Sequence, residues 1–269
     1  MNNLRFQCFG TGSSGNCYYV GNGRYGILID AGIPVRNIRK TLADNGLSLS
    51  NIMAVFITHD HVDHIRAAGV LGEKYHIPVF ATTKIHEGIQ RSYCVTEKLY
   101  LSRKFINVNE TTTIADIKIS SFPVSHDASE CVGYTVEYND KRLTIATDLG
   151  YINDEAADHL RKADYIIIET NYDDDMLQKG PYPFPLKERI RANTGHLSNE
   201  QAGIFLAENY NENMKTIFLC HLSKENNKPE IAYTTVQQYL EEKQIIVGKD
   251  VEVIPLERLV PSKMFVLAP

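Results

Sequence analysis

A chain of 269 residues, 43% hydrophobic and 23% charged, can bury a sizeable core without staples. Its formal net charge of −5 and pI near 6.0 exclude a global attraction to polyanions, so a nucleic-acid substrate would need a local basic patch or bound cations. The five cysteines (Cys8, Cys17, Cys94, Cys131, Cys220) are scattered and form no C-x-x-C pair, the usage of a reducing compartment. No charged-then-apolar leader opens the chain and no apolar run approaches spanning length, so the expectation is a cytoplasmic protein with no membrane contact.

Arg5 to Phe9 alternates as a strand and runs into Gly10-Thr11-Gly12-Ser13-Ser14-Gly15-Asn16, a tight loop that serves either as an anion cradle or as a plain connection. Tyr18 to Gly21 and Gly26 to Asp30 read as strands paired around Asn22-Gly23. Pro34 to Asn45 is an amphipathic helix closed by Gly46. The run Met53 to Ile57 reads as a buried strand, and the helix after it is expected from about Asp63 to Tyr75.

Pro78 to Ala81 is a strand, Thr82 to Arg91 a helix, and residues 99 to 120 alternate as strands. Val132 to Tyr138 and Arg142 to Ala146 are strands, Asp154 to Arg161 a helix, and Tyr165 to Ile168 a fully apolar strand. Residues 172 to 197 lose periodicity and carry Pro181, Pro183 and Pro185, which reads as a mobile loop or lid. Asn199 to Asn209 is a helix, Thr216 to Leu219 a strand and Pro229 to Lys243 a long amphipathic helix; a short strand at 251–254 and a tail end the chain. No linker divides residues 1–269, so one domain is expected, its two halves alike in outline without a clean repeat.

The chemistry concentrates in Thr58-His59-Asp60-His61-Val62-Asp63-His64, which places three histidines and two aspartates within six positions at a strand's end. Imidazole suits zinc and similar borderline metals and carboxylate suits harder cations, so this is a ligand-dense turn. His126, Asp148 and His221 each follow a strand as well. Taken singly, each has an ordinary structural explanation; Asp148, for one, could cap the next helix. With His59, His61, Asp63 and His64 they make seven nitrogen and oxygen ligands, enough for two metals.

The order H-x-H-x-D-H, a lone His, a strand-end Asp and a final His resembles the metallo-β-lactamase superfamily over nearly the whole chain. The resemblance implies an α/β, four-layered αββα sandwich. It puts His59, His61 and His126 on one metal and Asp63, His64 and His221 on a second, with Asp148 bridging. A pair of such cations lowers the pKa of a bridging water and polarises an ester, so a metal-bridging hydroxide would be the nucleophile. Zinc or manganese, with iron as an alternative, fits this donor set.

The block Thr194-Gly195-His196-Leu197-Ser198-Asn199 with Ile168-Glu169-Thr170-Asn171 resembles tRNA 3′-processing endonucleases and cyclic-phosphate diesterases. There the extra His meets the scissile phosphate or protonates the leaving oxygen, and an acidic residue orients it. Added to Phe9-Gly10-Thr11-Gly12-Ser13-Ser14-Gly15-Asn16, these motifs resemble the YycJ (WalJ) family, described as single-domain 5′→3′ DNA exonucleases or metal-dependent hydrolases with a suggested link to DNA repair. The implied activity is phosphodiester hydrolysis at DNA ends. His196 and Asp63 carry catalytic roles, Ser13, Ser14, Asn16 and His196 contact substrate, and Glu169 orients His196 or a ligand histidine from behind. The chain has no Gly/Pro-rich basic arm and no room for an inserted nucleic-acid-binding domain, which argues against structured RNA.

Lys179, Lys187, Arg189 and Arg191 in the lid, and Arg36, Arg39 and Lys40 on the first helix, are the local basic residues on offer, and Tyr172, Tyr182 and Phe184 in the lid either stack bases or simply pack it down. His76, His86 and His159 are expected inside helices as structural residues. The rival readings are a small-molecule hydrolase (cyclic-nucleotide phosphodiesterase, thioesterase or lactonase) and a metal-stabilised binding module. The sequence leaves oligomeric state open, a homodimer included.

Overall fold

The computed structural model describes residues 3–267. In chain order the strands are β1 (Leu4–Gly10), β2 (Cys17–Gly21), β3 (Gly26–Ile29), β4 (Ile52–Phe56), β5 (Val79–Ala81), β6 (Arg103–Phe105), β7 (Thr111–Ile114), β8 (Ile117–Pro123), β9 (Val132–Tyr138), β10 (Lys141–Ala146), β11 (Tyr165–Glu169), β12 (Thr216–Cys220), β13 (Glu252–Pro255) and β14 (Phe265–Leu267). The helices are α1 (Val35–Asp44), α2 (Val62–Ile65), α3 (Thr83–Arg91), α4 (Asp154–Arg161), α5 (Asp174–Lys179), α6 (Phe184–Arg191), α7 (Asn199–Asn209) and α8 (Pro229–Glu242).

Two seven-stranded sheets form, in the orders β14-β1-β2-β3-β4-β5-β6 and β13-β12-β11-β10-β9-β8-β7. Starting from β14 in the first sheet and from β7 in the second, both run through three antiparallel pairings and then three parallel ones. The likeness of the halves is therefore one of topology. The tail expected after residue 254 supplies β14, which covers the outer edge of β1.

Apolar parallel strands face two cores because successive side chains alternate sides. Tyr165 and Ile167 of β11 join the larger cluster between the sheets, while Ile166 and Ile168 join a second cluster with Leu206 of α7 and Val236 of α8. Ile38 and Leu42 of α1 and Ile85 and Ile89 of α3 pack on the first sheet. Helices thus cover both outer faces, the αββα layering.

Three sequence expectations need correction. The helix after the motif stops at Ile65 and is followed by a π-turn at Val70–Lys74. The N–H of Ala67 is drawn out of the helical ladder to Ala31 O (2.7 Å), and a Cβ on Gly69 would stand 1.7 Å from Glu97 O. His76 lies past this turn with φ 57°, outside any helix. The lid is not structureless: α5 and α6 pack Leu177 and Ile190 onto Tyr172. The strands expected over residues 99 to 120 do form, but they divide between the sheets, β6 closing the first and β7 opening the second.

Candidate metal centre

The strand ends deliver the ligand-type side chains to one edge. β4 continues through Ile57 and Thr58 to His59, and β10, β11 and β12, parallel to one another, end at Asp148, Glu169 and His221. Asp148 (φ 57°) and His221 (φ 55°) both take the left-handed conformation, which costs a non-glycine residue about 1–3 kcal/mol and is tolerated where surrounding structure enforces it. Asp30 at the end of β3 shares that geometry (φ 61°) and is the first half's counterpart of Asp148.

Among the described residues three groups of ligand-type atoms converge, each within 4.8 Å: His59, His61 and His126; Asp63, His64, Asp148 and His221; and Glu169, His196 and His221, the last sharing His221 with the second. One oxygen joins the first two. Asp148 Oδ2 lies 3.8 Å from His59 Nε2 and His126 Nε2, and 3.4 Å from His64 Nε2 and His221 Nε2.

Four of the five ligand-type imidazoles are aimed by a bond to the other nitrogen, whereas His61 meets Asp127 O through Nε2 at 3.2 Å. His64 Nδ1 donates to Asp30 Oδ2 at 2.7 Å, His126 Nδ1 to Gly195 O at 2.8 Å, and His221 Nδ1 to Glu169 Oε1 at 2.9 Å. His59 Nδ1 rests on Thr58 Oγ1 at 3.0 Å, and that hydroxyl also donates to Asp30. Such outer partners fix ring orientation and tautomer and leave Nε2 for a cation.

The buried Nε2 atoms of His59 and His221 have no hydrogen-bond partner. Two orphaned basic nitrogens turned toward carboxylates are the signature expected of a cation site, so the donor set fits divalent metal ions.

The electrostatics agree with shared positive charge. Burial would raise Asp148, but His221, His64 and His59 hold its carboxyl well below the usual carboxylate range. Burial works to lower His221, yet Asp148, Asp63 and Glu169 push it up to about 10. His64 is likewise raised well above an ordinary imidazole, burial being outweighed by Asp30, Asp148 and Asp63. Burial and then the neighbouring His64 drive His59 well down, so it is a neutral nitrogen.

His196 stands beside these groups, its ring stacked on His221 with centroids 5.3 Å apart. Its Nδ1 donates to Glu169 Oε1 at 2.7 Å, the oxygen that also receives His221, while Glu169 Oε2 accepts from Leu149 N at 2.8 Å. Burial opposes charge on His196, and Glu169 reverses this, raising its pKa. Ser198 is the helix cap expected, its hydroxyl accepting from Gln201 N. Neither Asp148 nor Asp63 caps a helix through its side chain; Asn153 caps α4.

The glycine loop differs from a simple anion cradle. Asn16 is fully buried, taking Gly12 N on its Oδ1 (2.8 Å) with its Nδ2 2.9 Å from His64 Nε2, so it braces the second ligand group. Thr11 Oγ1 accepts from His221 N at 2.8 Å. Ser13 lines a cavity of about 170 Å³ with His61, Asp63, Asp148, Arg189 and His196, while Ser14 Oγ is held by Arg258 Nη2 at 3.0 Å.

The suggested basic lid is largely self-neutralised. Lys179 pairs with Asp175, Arg191 with Asp174, and Lys187 donates to Gln178 O. Arg189 reaches the cavity, where Asp127 holds it at 2.6 Å. Tyr172 is buried and Tyr182 packs beside it, so they hold the lid down; Phe184 is exposed. Arg36, Arg39 and Lys40 face solvent on α1. His86 bonds Lys104 O and His159 stacks on Phe122, the structural roles expected.

Sequence reasoning missed Asp30, Thr58, Asp60 and Arg258. Asp60 receives Ser129 N and Oγ, tying the motif turn to the loop that carries His126. The signal for Asp30 was present, since it ends its strand as Asp148 does in the other half.

Fold and ligand geometry together describe a metallo-β-lactamase-type centre. The model of the β-lactamase superfamily domain matches residues 25–217. The chain is 35% identical to exodeoxyribonuclease YycJ of Bacillus anthracis over 262 residues, 97% of this chain and 98% of that one. It is also 35% identical to exodeoxyribonuclease WalJ of Streptococcus pneumoniae serotype 2 (strain D39 / NCTC 7466) over 250 residues, 93% of each. The metallo-β-lactamase fold protein YhfI from Bacillus subtilis superposes with a TM-score of 0.73 at 16% identity, covering 97% of this chain and 99% of that one, and shows the shared fold. The chain belongs to the YycJ (WalJ) family of the β-lactamase superfamily.

Proposed function

We propose that the protein is a phosphodiester hydrolase holding two divalent metal ions, acting on DNA ends as a 5′→3′ exonuclease. Zinc or manganese is the expected metal, and the cytoplasm the expected compartment. The observation that carries the reading is the Glu169–His196 pair beside the ligand groups: a carboxylate-supported imidazolium next to a metal centre suits an alkoxide leaving group, and the relatives matched end to end are named exodeoxyribonucleases.

His59, His61 and His126 would hold one ion, and Asp63, His64 and His221 the other, with Asp148 shared. Bound there, the pair would supply a readily ionised water and charge stabilisation at phosphorus. The chain's own part is to orient and to move a proton. Glu169 binds the Nδ1 proton of His196 and so stabilises the imidazolium, whose Nε2 proton passes to the departing oxygen and leaves the ring neutral. Asp63, a member of the second group, faces the cavity, and Ser13 lines it where a substrate oxygen would enter.

A small-ester hydrolase is the second reading, favoured by the modest 170 Å³ of the cavity itself. Metal-loaded protein offered a DNA oligonucleotide, bis(p-nitrophenyl) phosphate, a glutathione thioester and a lactone separates the two. Turnover of the phosphodiesters is expected, and turnover confined to the thioester or lactone would overturn the nuclease reading.

A further inference from the structure

A second and larger cavity, about 880 Å³, begins one residue beyond His221. Leu222, Lys224, Lys228 and Tyr233 line one side of it, and Arg258 and Leu259 the other. We infer that this groove carries the single-stranded nucleic acid adjoining the scissile phosphate, an inference that rests on the nuclease reading above.

Four observations on independent features support it. The groove adjoins the metal centre along the chain: His221 lines the small cavity and the next residue, Leu222, the large one. Arg258, which lines the large cavity, ties it to the glycine loop, Nη1 donating to Leu222 O at 2.6 Å and Nη2 to Ser14 Oγ at 3.0 Å, next to Ser13 of the small cavity. Burial depresses the pKa of this guanidinium before Tyr182, Glu225 and Asp63 partly restore it, so the charge is held under desolvation next to the second ligand group.

The chemistry of the walls suits a strand. Arg258, Lys224 and Lys228 outnumber the carboxylates of Glu230 and Glu257 in a protein that is acidic overall. Lys224 is tied to Glu225 at 3.3 Å, both of them solvent-exposed, a weak surface contact that a phosphate can displace. Tyr233, half-buried, offers a ring, and Leu259 and Val260 are 66% and 55% exposed, apolar surface available to bases. Finally, Lys228 occupies the N-cap of α8, where a cation opposes the helix dipole and no side chain caps the turn. Glu230 in the first turn already supplies one negative charge there, and an anion in the groove adds to it opposite Lys228.

The test compares steady-state hydrolysis of a labelled single-stranded oligonucleotide long enough to fill the groove with that of bis(p-nitrophenyl) phosphate. The variants are the double charge reversal Lys224→Glu/Lys228→Glu, at exposed positions, and Tyr233→Leu, which keeps apolar packing but removes the ring, with Tyr233→Phe as the ring-retaining control. The double variant should raise KM for the oligonucleotide at least tenfold and make its log–log salt dependence shallower by about 1.4, two phosphate contacts' worth. Tyr233→Leu should raise KM about tenfold and Tyr233→Phe should not. Bis(p-nitrophenyl) phosphate turnover should be unchanged in all three. Unaltered oligonucleotide KM in both the double variant and Tyr233→Leu overturns the groove assignment while leaving the nuclease reading intact; wild-type protein that cleaves bis(p-nitrophenyl) phosphate but no DNA overturns both.

Discussion

Glu169 and His196 meet through a 2.7 Å bond from Nδ1 to Oε1, and the same oxygen receives His221 at 2.9 Å. One fully buried carboxylate therefore supports both a ligand-type histidine and the proposed proton donor. Removing the donor alone, in His196→Ala, should lower turnover by roughly 10²–10⁴-fold while metal content, read by elemental analysis, stays at the wild-type value. Loss of metal in that variant would make His196 a ligand instead.

The direction of the His196 shift fixes a pH prediction. Glu169 raises the imidazole, so the acid form persists above the ordinary histidine range and activity should fall on the alkaline side as that proton is lost. Glu169→Gln removes the supporting charge, and the alkaline limb of the kcat profile should move to lower pH. An unmoved limb would show that another group sets it.

Metal uptake should release protons. His221, at about 10, and His64, also raised, are protonated at neutral pH without a cation, and a cation must displace those protons to reach Nε2. Calorimetric titration of metal into depleted protein, in buffers of different ionisation enthalpy, should give a dependence with the sign of proton release to buffer. Identical heats in all buffers would contradict the charge arrangement.

Asp30 never touches the cavity, yet its carboxylate orients both His64 and Thr58 from within the core. Asp30→Ala should weaken metal binding by about 10–100-fold and, by stripping the buried Nδ1–H of His64 of its acceptor, destabilise the metal-free protein by about 1–3 kcal/mol. Urea denaturation with and without chelator reads both effects.

Gly32 lets the glycine loop and the motif turn close on each other. A Cβ there would lie 1.6 Å from Asp63 O, the atom that receives Asn16 N at 2.7 Å. Gly32→Ala should push Asp63 away from His64 and His221, and metal content should fall with the second group lost first.

Most of the site could be read from the chain because strand-end ligands are local: His59 to His64 lie in one turn, and His126, Asp148 and His221 each follow an apolar run. What the sequence hid are relationships made by the tertiary fold. The strand-end position of Asp30 is legible but its pairing with His64, 34 positions away, is not, and Arg258 lies in a stretch with no periodicity, brought to Ser14 by a contact spanning 244 positions. The lid helices were masked by the prolines at 181, 183 and 185, although Pro183 is in fact the N-cap residue of α6. The early end of α2 comes from Ala67 bonding to Ala31, a preference set by the neighbouring strand and not by the helix's own residues.

The central claim is that the protein removes nucleotides from DNA ends by metal-dependent hydrolysis centred on Asp148. Metal-loaded wild-type protein and Asp148→Ala, incubated with DNA labelled at the 5′ end or at the 3′ end, test it directly. The wild type should release labelled mononucleotide from the 5′-labelled strand from the first turnovers and shorten the 3′-labelled strand progressively, and Asp148→Ala should do neither. No cleavage of either strand by the metal-loaded wild type, or equal cleavage by Asp148→Ala, would contradict it.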